Sequence, residues 1–379
     1  MKKLFNYKLQ TLKNSDFIQA VINSNWKPYL VGGCVRDYLI NIIPKDIDII
    51  IVGCDKPELI ELLNKYGHCD LVGESFAVIK YLYKNEIYDI STPRTEKKVD
   101  VGHKGFEVIS NKNISLELDL LRRDLTINSI AMDFDGNFID PFHGINDIKN
   151  KNIKVTNSNA FTDDPLRIVR CIRFASRLNF NIDKTTFNLI SATKNKIPEL
   201  SHERIIEEWT KVLNNSKNDL SIMQRYVDLL TKLNLWEYMF PGLSIKAGKI
   251  KSSYNSIIWE NLIVEDDIDN LRKIMLDLKF PIYLYNEILF LRELLLMDIA
   301  KVYKLAKLYK RFNISNNLIM EFSKIKNLDK RLIDSFLKYC ENGFTIDGND
   351  LINQGFKGSD IEKEKERREI EKFKNDYLL

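Results

Sequence analysis

Apolar positions change their period several times along the chain, and each change marks an element. Leu9, Leu12, Phe17, Ile18, Val21 and Ile22 recur at loosely helical spacing, which predicts a helical lead-in over residues 1–27. Tyr29, Leu30 and Val31 form a short apolar run that stops at Gly32-Gly33. That pattern predicts a strand and a tight turn, because paired glycines free the backbone. One or two helical turns are expected over residues 35–42, then a loop closed by Pro44, then a β-branched strand at Ile49-Ile50-Ile51-Val52. Residues 57–66 read as a helix, and residues 71–72, 76–83 and 87–90 as strands. From Arg94 to Glu117 the period breaks, and a long structureless loop is expected. After Arg122-Arg123-Asp124 a helical run containing Asn128 is expected, and a hairpin turn at Asp135-Gly136 follows. Residues 161–180 are strongly helical in pattern, as is everything beyond about residue 215, with no Gly or Pro between Pro281 and Gly343.

A small sheet mixed with helices, followed by a long helical remainder, predicts an α+β fold. The expected domains are a lead-in over 1–27, a mixed head over 28–140, an all-α neck over 141–215, and a helical body and tail over 216–379. The 379 residues suit two or three domains, and 44% apolar content is enough for sizeable cores. Net charge is only +4, from 57 basic and 53 acidic residues, so a nucleic-acid surface must be a local patch. Lys301, Lys304, Lys307, Lys310 and Arg311 form one such basic side, suited either to an RNA backbone or to solvent. Five cysteines without a CxxC pair argue against a disulfide framework or a structural zinc and fit a reducing cytosol. No apolar run has the length of a membrane span, and a cytoplasmic protein is expected.

The chemistry concentrates in three stretches. A glycine turn opening a helix presents N–H groups to an anion. Asp46 and Asp48, two apart on an expected strand, share a face roughly 7 Å apart at Cα and repel unless a cation lies between them. Phosphate-binding glycines beside paired carboxylates suit phosphoryl or nucleotidyl transfer with Mg²⁺. Arg122-Arg123-Asp124 supplies guanidinium forks for phosphate or ribose, with an aspartate able to hold an arginine in place. In residues 161–180, Arg167, Arg170, Arg173 and Arg177 recur every three or four residues and line one side of a helix whose other positions are largely apolar. Thr162 or Asp163 is expected to cap that helix, with Pro165 in its first turn. Buried arginines need carboxylate or phosphate partners.

The strings GGCVRD and KDIDI, LLRRDLTINSIAMD and DDPLR together resemble the motifs of the class II tRNA nucleotidyltransferases (CCA-adding enzymes) and their bacterial poly(A) polymerase relatives. The resemblance is strong over about residues 28–180 and weak after about 215. It implies a polymerase-β-like head with Asp46 and Asp48 as Mg²⁺ ligands and catalytic carboxylates. Asp89 is either a third carboxylate or a surface strand residue. The triphosphate is expected on Gly32, Gly33, Arg36, Arg170 and Arg173, and Arg123 is expected to contact a phosphate or the ribose of the nucleotide. Asp164 and Arg167 are expected to read the base edge. A carboxylate accepts from the exocyclic amine of C or A, and a guanidinium donates to ring acceptors.

Residues 94–117 match the full-length flexible loop of CCA-adding and A-adding enzymes. SHERIIEEW, residues 201–209, resembles the family's ERI..E segment. Asp163 stands where the family has Glu, which puts the orientation of Arg167 in question. The expected partners are tRNA, CTP and ATP, with neither DNA nor membrane. The alternatives are an A-adding or CC-adding enzyme, a poly(A) polymerase, or a catalytically silent RNA-binding protein. Gly73-Glu74-Ser75-Phe76, lacking the basic pair of poly(A) polymerases, disfavours that relative. No His-Asp dipeptide occurs, so the phosphohydrolase domain of some relatives is not expected here.

Overall fold

The computed structural model describes residues 2–71, 78–98, 106–264 and 267–378. Gly73-Glu74-Ser75-Phe76 and residues 99–105 of the expected loop lie outside them. The chain forms two compact units, the first of residues 1–208 and 232–239, the second of residues 209–231 and 240–379.

The first unit begins with helices α1 (Lys2–Lys13) and α2 (Asp16–Asn23) and strand β1 (Lys27–Val31). Helix α3 (Gly33–Leu39), strand β2 (Asp48–Val52) and helix α4 (Lys56–Leu63) follow. Asp46 lies in the bend ahead of β2, so only Asp48 of the expected pair belongs to the strand. Strands β3 (His68–Leu71), β4 (Val78–Tyr83) and β5 (Glu86–Ser91) come next.

The expected structureless loop is in part a two-stranded antiparallel ribbon of β6 (Arg94–Lys98) and β7 (Phe106–Ser110). Its charged sequence, RTEKK, lacks the alternation by which a half-buried strand announces itself. The helical run expected after Arg122-Arg123-Asp124 is also replaced. Helix α5 (Leu116–Leu121) ends before Arg122, a one-turn 3₁₀ helix covers Thr126–Asn128, and β8 (Ala131–Asp133) and β9 (Phe138–Ile139) form the hairpin.

Seven strands make one mixed sheet in the order β3-β4-β5-β2-β1-β8-β9, with β2 and β5 parallel. One face packs on α2, where Phe17 is fully buried against the rings of Tyr81, Tyr83 and Tyr88. The other face buries Val31, Ile50 and Ala131 against Leu116 and Leu120 of α5. Asp48 and Asp89 are register partners on that second side, carried by the two parallel strands.

Beyond the sheet lie α6 (Gly144–Lys149), strand β10 (Asn152–Ile153), α7 (Ala160–Asp163) and α8 (Leu166–Leu178). Strand β11 (Asn181–Ile182), α9 (Lys184–Thr193) and α10 (His202–Ser216) follow. The expected helix over residues 161–180 is therefore two helices. Asp164 breaks away from helical backbone between them, Pro165 opens α8, and the Asp164 carboxylate accepts from the Leu166 amide at 3.1 Å, in place of a cap by Thr162 or Asp163.

The second unit is helical. Trp209, Tyr226, Phe240, Trp259 and Phe280 stack edge-on or tilted, with Trp209 and Trp259 centroids 4.3 Å apart. A second core gathers Phe290, Val302, Phe322, Phe336, Tyr339 and Phe373. There the Glu369 carboxylate, fully buried, accepts from the Tyr339 hydroxyl at 3.0 Å and from the Thr345 and Ile346 amides at 2.7 and 2.8 Å. Among the described residues no helix is long and apolar enough to cross a membrane.

Candidate active site

Three motifs meet in one cavity of about 830 Å³ within the first unit. Asp46, Asp48 and Asp89 line one part, Gly32, Gly33, Arg36 and Arg123 another, and Asp164, Arg167, Arg170 and Arg173 a third. All eleven residues expected from the sequence as catalytic, metal-binding or nucleotide-binding therefore face the same space. Among the described residues nine arginines and five aspartates line it, an excess of positive charge suited to a polyphosphate.

The carboxylate wall follows from the parallel pairing of β2 and β5, which sets Asp48 beside Asp89. Burial pushes the Asp48 carboxyl above its ordinary pKa, the charges of Asp89 and Asp46 push it further, and Arg123 opposes them. Lys80 on β4 reaches both Asp89 oxygens, at 2.5 and 2.7 Å. Among the described residues no three His, Cys, Asp or Glu side chains are drawn together as a ready metal cluster. The donor set nevertheless fits a hard divalent cation, since it offers only carboxylate oxygens and leaves Asp48 under repulsion that a cation relieves.

The glycine turn serves a close approach. Gly32 has φ +70°, and a side chain there would meet Arg123 Nη1 at 2.7 Å. Arg123 is itself held by Asp119, whose Oδ2 accepts from Arg123 Nε and Nη2 at 3.3 and 3.1 Å. The other Asp119 oxygen takes Arg122 Nε and Nη2 at 3.0 and 2.7 Å. Asp119 is fully buried; burial raises its pKa, but the two guanidinium groups outweigh that and lower it. Sequence reasoning missed Asp119, although its place three and four residues before Arg122 and Arg123 was the available signal.

A chain of side chains ties the remaining motifs together. Arg170 Nε donates to Asp124 Oδ2 at 2.9 Å, and Asn128 Nδ2 donates to Asp124 Oδ1 at 2.9 Å. Arg36 Nη1 donates to Asn128 Oδ1 at 2.5 Å, while Arg36 Nε and Nη2 grip Asp37 Oδ1 at 2.8 and 2.7 Å. Asp37 Oδ2 lies 3.6 Å from Arg177 at the far end of α8. Burial alone would raise the Asp124 pKa, but Arg170 and Asn128 reverse the sign and hold it well below the usual carboxylate range. Arg36 is thus an enclosed strut as well as a wall residue. Arg173 is similarly enclosed, donating to buried Glu208 of α10 at 2.5 Å. The ring of Phe174 lies beneath Arg36, Arg170 and Arg173. Asp37, in GGCVRD, and Arg204 and Glu208, in the ERI..E segment, lie in motifs to which the sequence assigned them no role; Arg204 Nη2 lies 3.4 Å from both Asp164 oxygens.

Residues 28–154 match the family described as poly A polymerase head domain, and residues 179–246 that described as probable RNA and SrmB-binding site of polymerase A. The chain is 36% identical over 337 residues to a CCA-adding enzyme of Francisella tularensis subsp. novicida, covering 83% of this chain and 85% of that protein. It is 39% identical over 220 residues to a multifunctional CCA protein of Mannheimia succiniciproducens, covering 57% of this chain and 49% of that longer protein. In fold it is similar to a CCA-adding enzyme solved in an apo form, with a TM-score of 0.72 and 23% identity over 98% of this chain and 95% of the other.

Proposed function

Since the chain belongs to the family of CCA-adding tRNA nucleotidyltransferases, by its likeness over 83% of its length to one of them, we propose that it adds C, C and A to tRNA 3′ ends from CTP and ATP. The observation that carries the reading is the single cavity in which the carboxylates of Asp46 and Asp48 face Asp164 and Arg167. In the reaction the terminal 3′-oxygen of tRNA attacks the α-phosphorus of the nucleotide. The bond to the bridging oxygen breaks, pyrophosphate leaves, and the 3′-hydroxyl proton passes to solvent.

The residues divide this work. Gly32 lets Arg123 lie against the turn, where its guanidinium takes phosphate charge. Asp119 aims Arg122 and Arg123, and Asp124 aims Arg170, so these cations need no reorganisation as charge develops. Asp46 and Asp48, with Asp89 beside them, are positioned to hold a divalent metal ion, in our reading Mg²⁺. When bound, such an ion activates the attacking hydroxyl and neutralises the leaving group. Asp164 accepts from the exocyclic amine of C or A, Arg167 donates to ring acceptors, and U and G present the opposite pattern. The protein thereby serves as its own template. The tRNA is held by shape and phosphate contacts, and the second unit offers a basic helix for them. Five free cysteines suit a reducing compartment, and we place the enzyme in the cytoplasm.

The test is incubation of the chain with tRNA ending before CCA, before CA and before A, with CTP and ATP supplied separately and Mg²⁺ present. Incorporation of C on the first two and of A on the third is expected. A-only activity would reassign the chain to A addition, and unlimited A-tailing of any RNA would overturn the tRNA reading.

A further inference from the structure

A row of charges crosses the sheet beside the carboxylate wall. The register pairs Asp48 of β2 with Asp89 of β5, Asp89 with Lys80 of β4, and Lys80 with Asp70 of β3. Neighbouring strands lie about 5 Å apart, so such partners sit side by side on one face. Val78, two residues before Lys80 and on the same face, lines the active-site cavity together with its own partner Ser91. Lys80 has a carboxylate on either side and commits to one of them. Asp70 turns to His68 of its own strand, 3.0 Å away, while the Lys80 ammonium reaches both oxygens of Asp89, at 2.5 and 2.7 Å. Among the described residues neither Asp46 nor Asp48 forms an ion pair. Of the three wall carboxylates, only Asp89 comes with its own counter-cation.

We propose that Lys80 withholds Asp89 from the divalent ion, so that the wall offers the ion only Asp46 and Asp48 and holds it firmly only together with a nucleotide's phosphates. This rests on the reading above that Asp46 and Asp48 hold such an ion. Lys80 is then a positioning residue that acts through Asp89. Its ammonium cancels the Asp89 charge and sets a positive group against any cation approaching those oxygens. Affinity for a hard divalent ion is tuned by the count of charged ligands, and Mg²⁺ suits sites of one or two carboxylates completed by substrate phosphates. A third free carboxylate would make a site that fills without substrate. The Lys80 side chain is 44% exposed, so the fold tolerates its replacement.

The experiment titrates the nucleotide-free chain with Mn²⁺ and reads the free ion by electron paramagnetic resonance, which needs no turnover. The parent is compared with Lys80→Met, Lys80→Arg, Asp89→Asn, Asp48→Asn and the double variant Lys80→Met, Asp89→Asn. Lys80→Met should bind Mn²⁺ roughly tenfold more tightly, because the ion gains a charged ligand and loses a positive neighbour. Lys80→Arg should keep the parental affinity. Asp89→Asn should cost far less affinity than Asp48→Asn in the parent, and should erase the gain in the Lys80→Met background. An unchanged affinity in Lys80→Met, or a gain that survives in the double variant, would overturn the proposal. So would an Asp89→Asn variant that loses as much affinity as Asp48→Asn, because Asp89 would then be a ligand despite Lys80. If Lys80→Met does not fold, Lys80→Gln must show the same gain, and an unchanged affinity there refutes it equally. Asp48→Asn separates the two claims. Unchanged Mn²⁺ binding in that variant removes the metal-site assignment itself, whereas a loss there without a gain in Lys80→Met removes only the role of Lys80.

Discussion

Replacing Gly32 with alanine perturbs the backbone and a neighbour at once. Gly32 has φ +70° and ψ −126°, a region that only glycine enters freely. Forcing alanine into it costs on the order of 1–3 kcal/mol. The added methyl would also lie 2.7 Å from Arg123 Nη1, where ordinary contact begins at 3.4 Å, so the guanidinium must withdraw by the difference, about 0.7 Å. Asp119 holds that guanidinium through Nε and Nη2, so the shift strains a buried carboxylate pairing. A misplacement on the order of 1 Å at a reacting centre costs up to about 100-fold in rate. Gly32→Ala should therefore lose about 1–3 kcal/mol in urea unfolding, and 10- to 100-fold in single-turnover incorporation. The two effects separate in a double-mutant cycle with Arg123→Ala. In the Arg123→Ala background the stability cost should persist, while the added rate penalty should largely vanish, since the displaced group is gone. An undiminished rate in Gly32→Ala, or the same rate penalty in both backgrounds, would refute the argument.

Other parts of the structure give sharper readouts of stability and binding. Asp124 has a depressed pKa in the folded chain, so its stabilisation is present above its unfolded value of about 3.9 and is lost as pH falls through the lower folded value. Asp124→Asn should thus be less stable than the parent at pH 7 by about 3 kcal/mol, the low end for a broken buried pair because the Arg170 side chain is 33% exposed. The gap should narrow in denaturant melts below about pH 4. Glu369→Ala strands the Thr345 and Ile346 amides in the second unit and should cost on the order of 3 kcal/mol, read by urea unfolding. On the helix Val302–Phe312, Lys304 and Lys307 are paired with Glu293 and Glu362, whereas Lys310 lies over the Phe344 ring and Arg311 lies beside it on the same cavity wall. The double variant Lys310→Glu, Arg311→Glu should lower tRNA affinity and flatten its salt dependence by about one to two in slope, measured by filter binding across salt concentrations.

The parts legible in the sequence were those written as local patterns. Tyr29–Val31 with Gly32-Gly33, the β-branched run after Asp48, and the arginine period of α8 each announce a strand, a turn or a helix. The family resemblance then marked which of them face one cavity. What escaped was long-range pairing. Asp119 reads as an ordinary acidic residue and Asp37 and Glu208 as motif members without a role, and only the fold reveals that each holds an arginine of the site. The break at Asp164 was hidden because its neighbours on both sides are helical and Pro165 suits either a first turn or an interruption. In the ribbon of Arg94–Lys98 with Phe106–Ser110, the first strand reads RTEKK and carries charge where an amphipathic strand would alternate, so pattern alone returns a loop.

The central claim is that the carboxylate wall performs the transfer while α8 and its opening aspartate choose the base. It is tested most directly by assaying Asp48→Asn for nucleotide incorporation and tRNA binding side by side, with Mg²⁺, CTP and ATP. Incorporation should fall below detection while the dissociation constant for tRNA stays within about twofold of the parent. A variant that still extends tRNA at a substantial fraction of the parental rate would contradict the account.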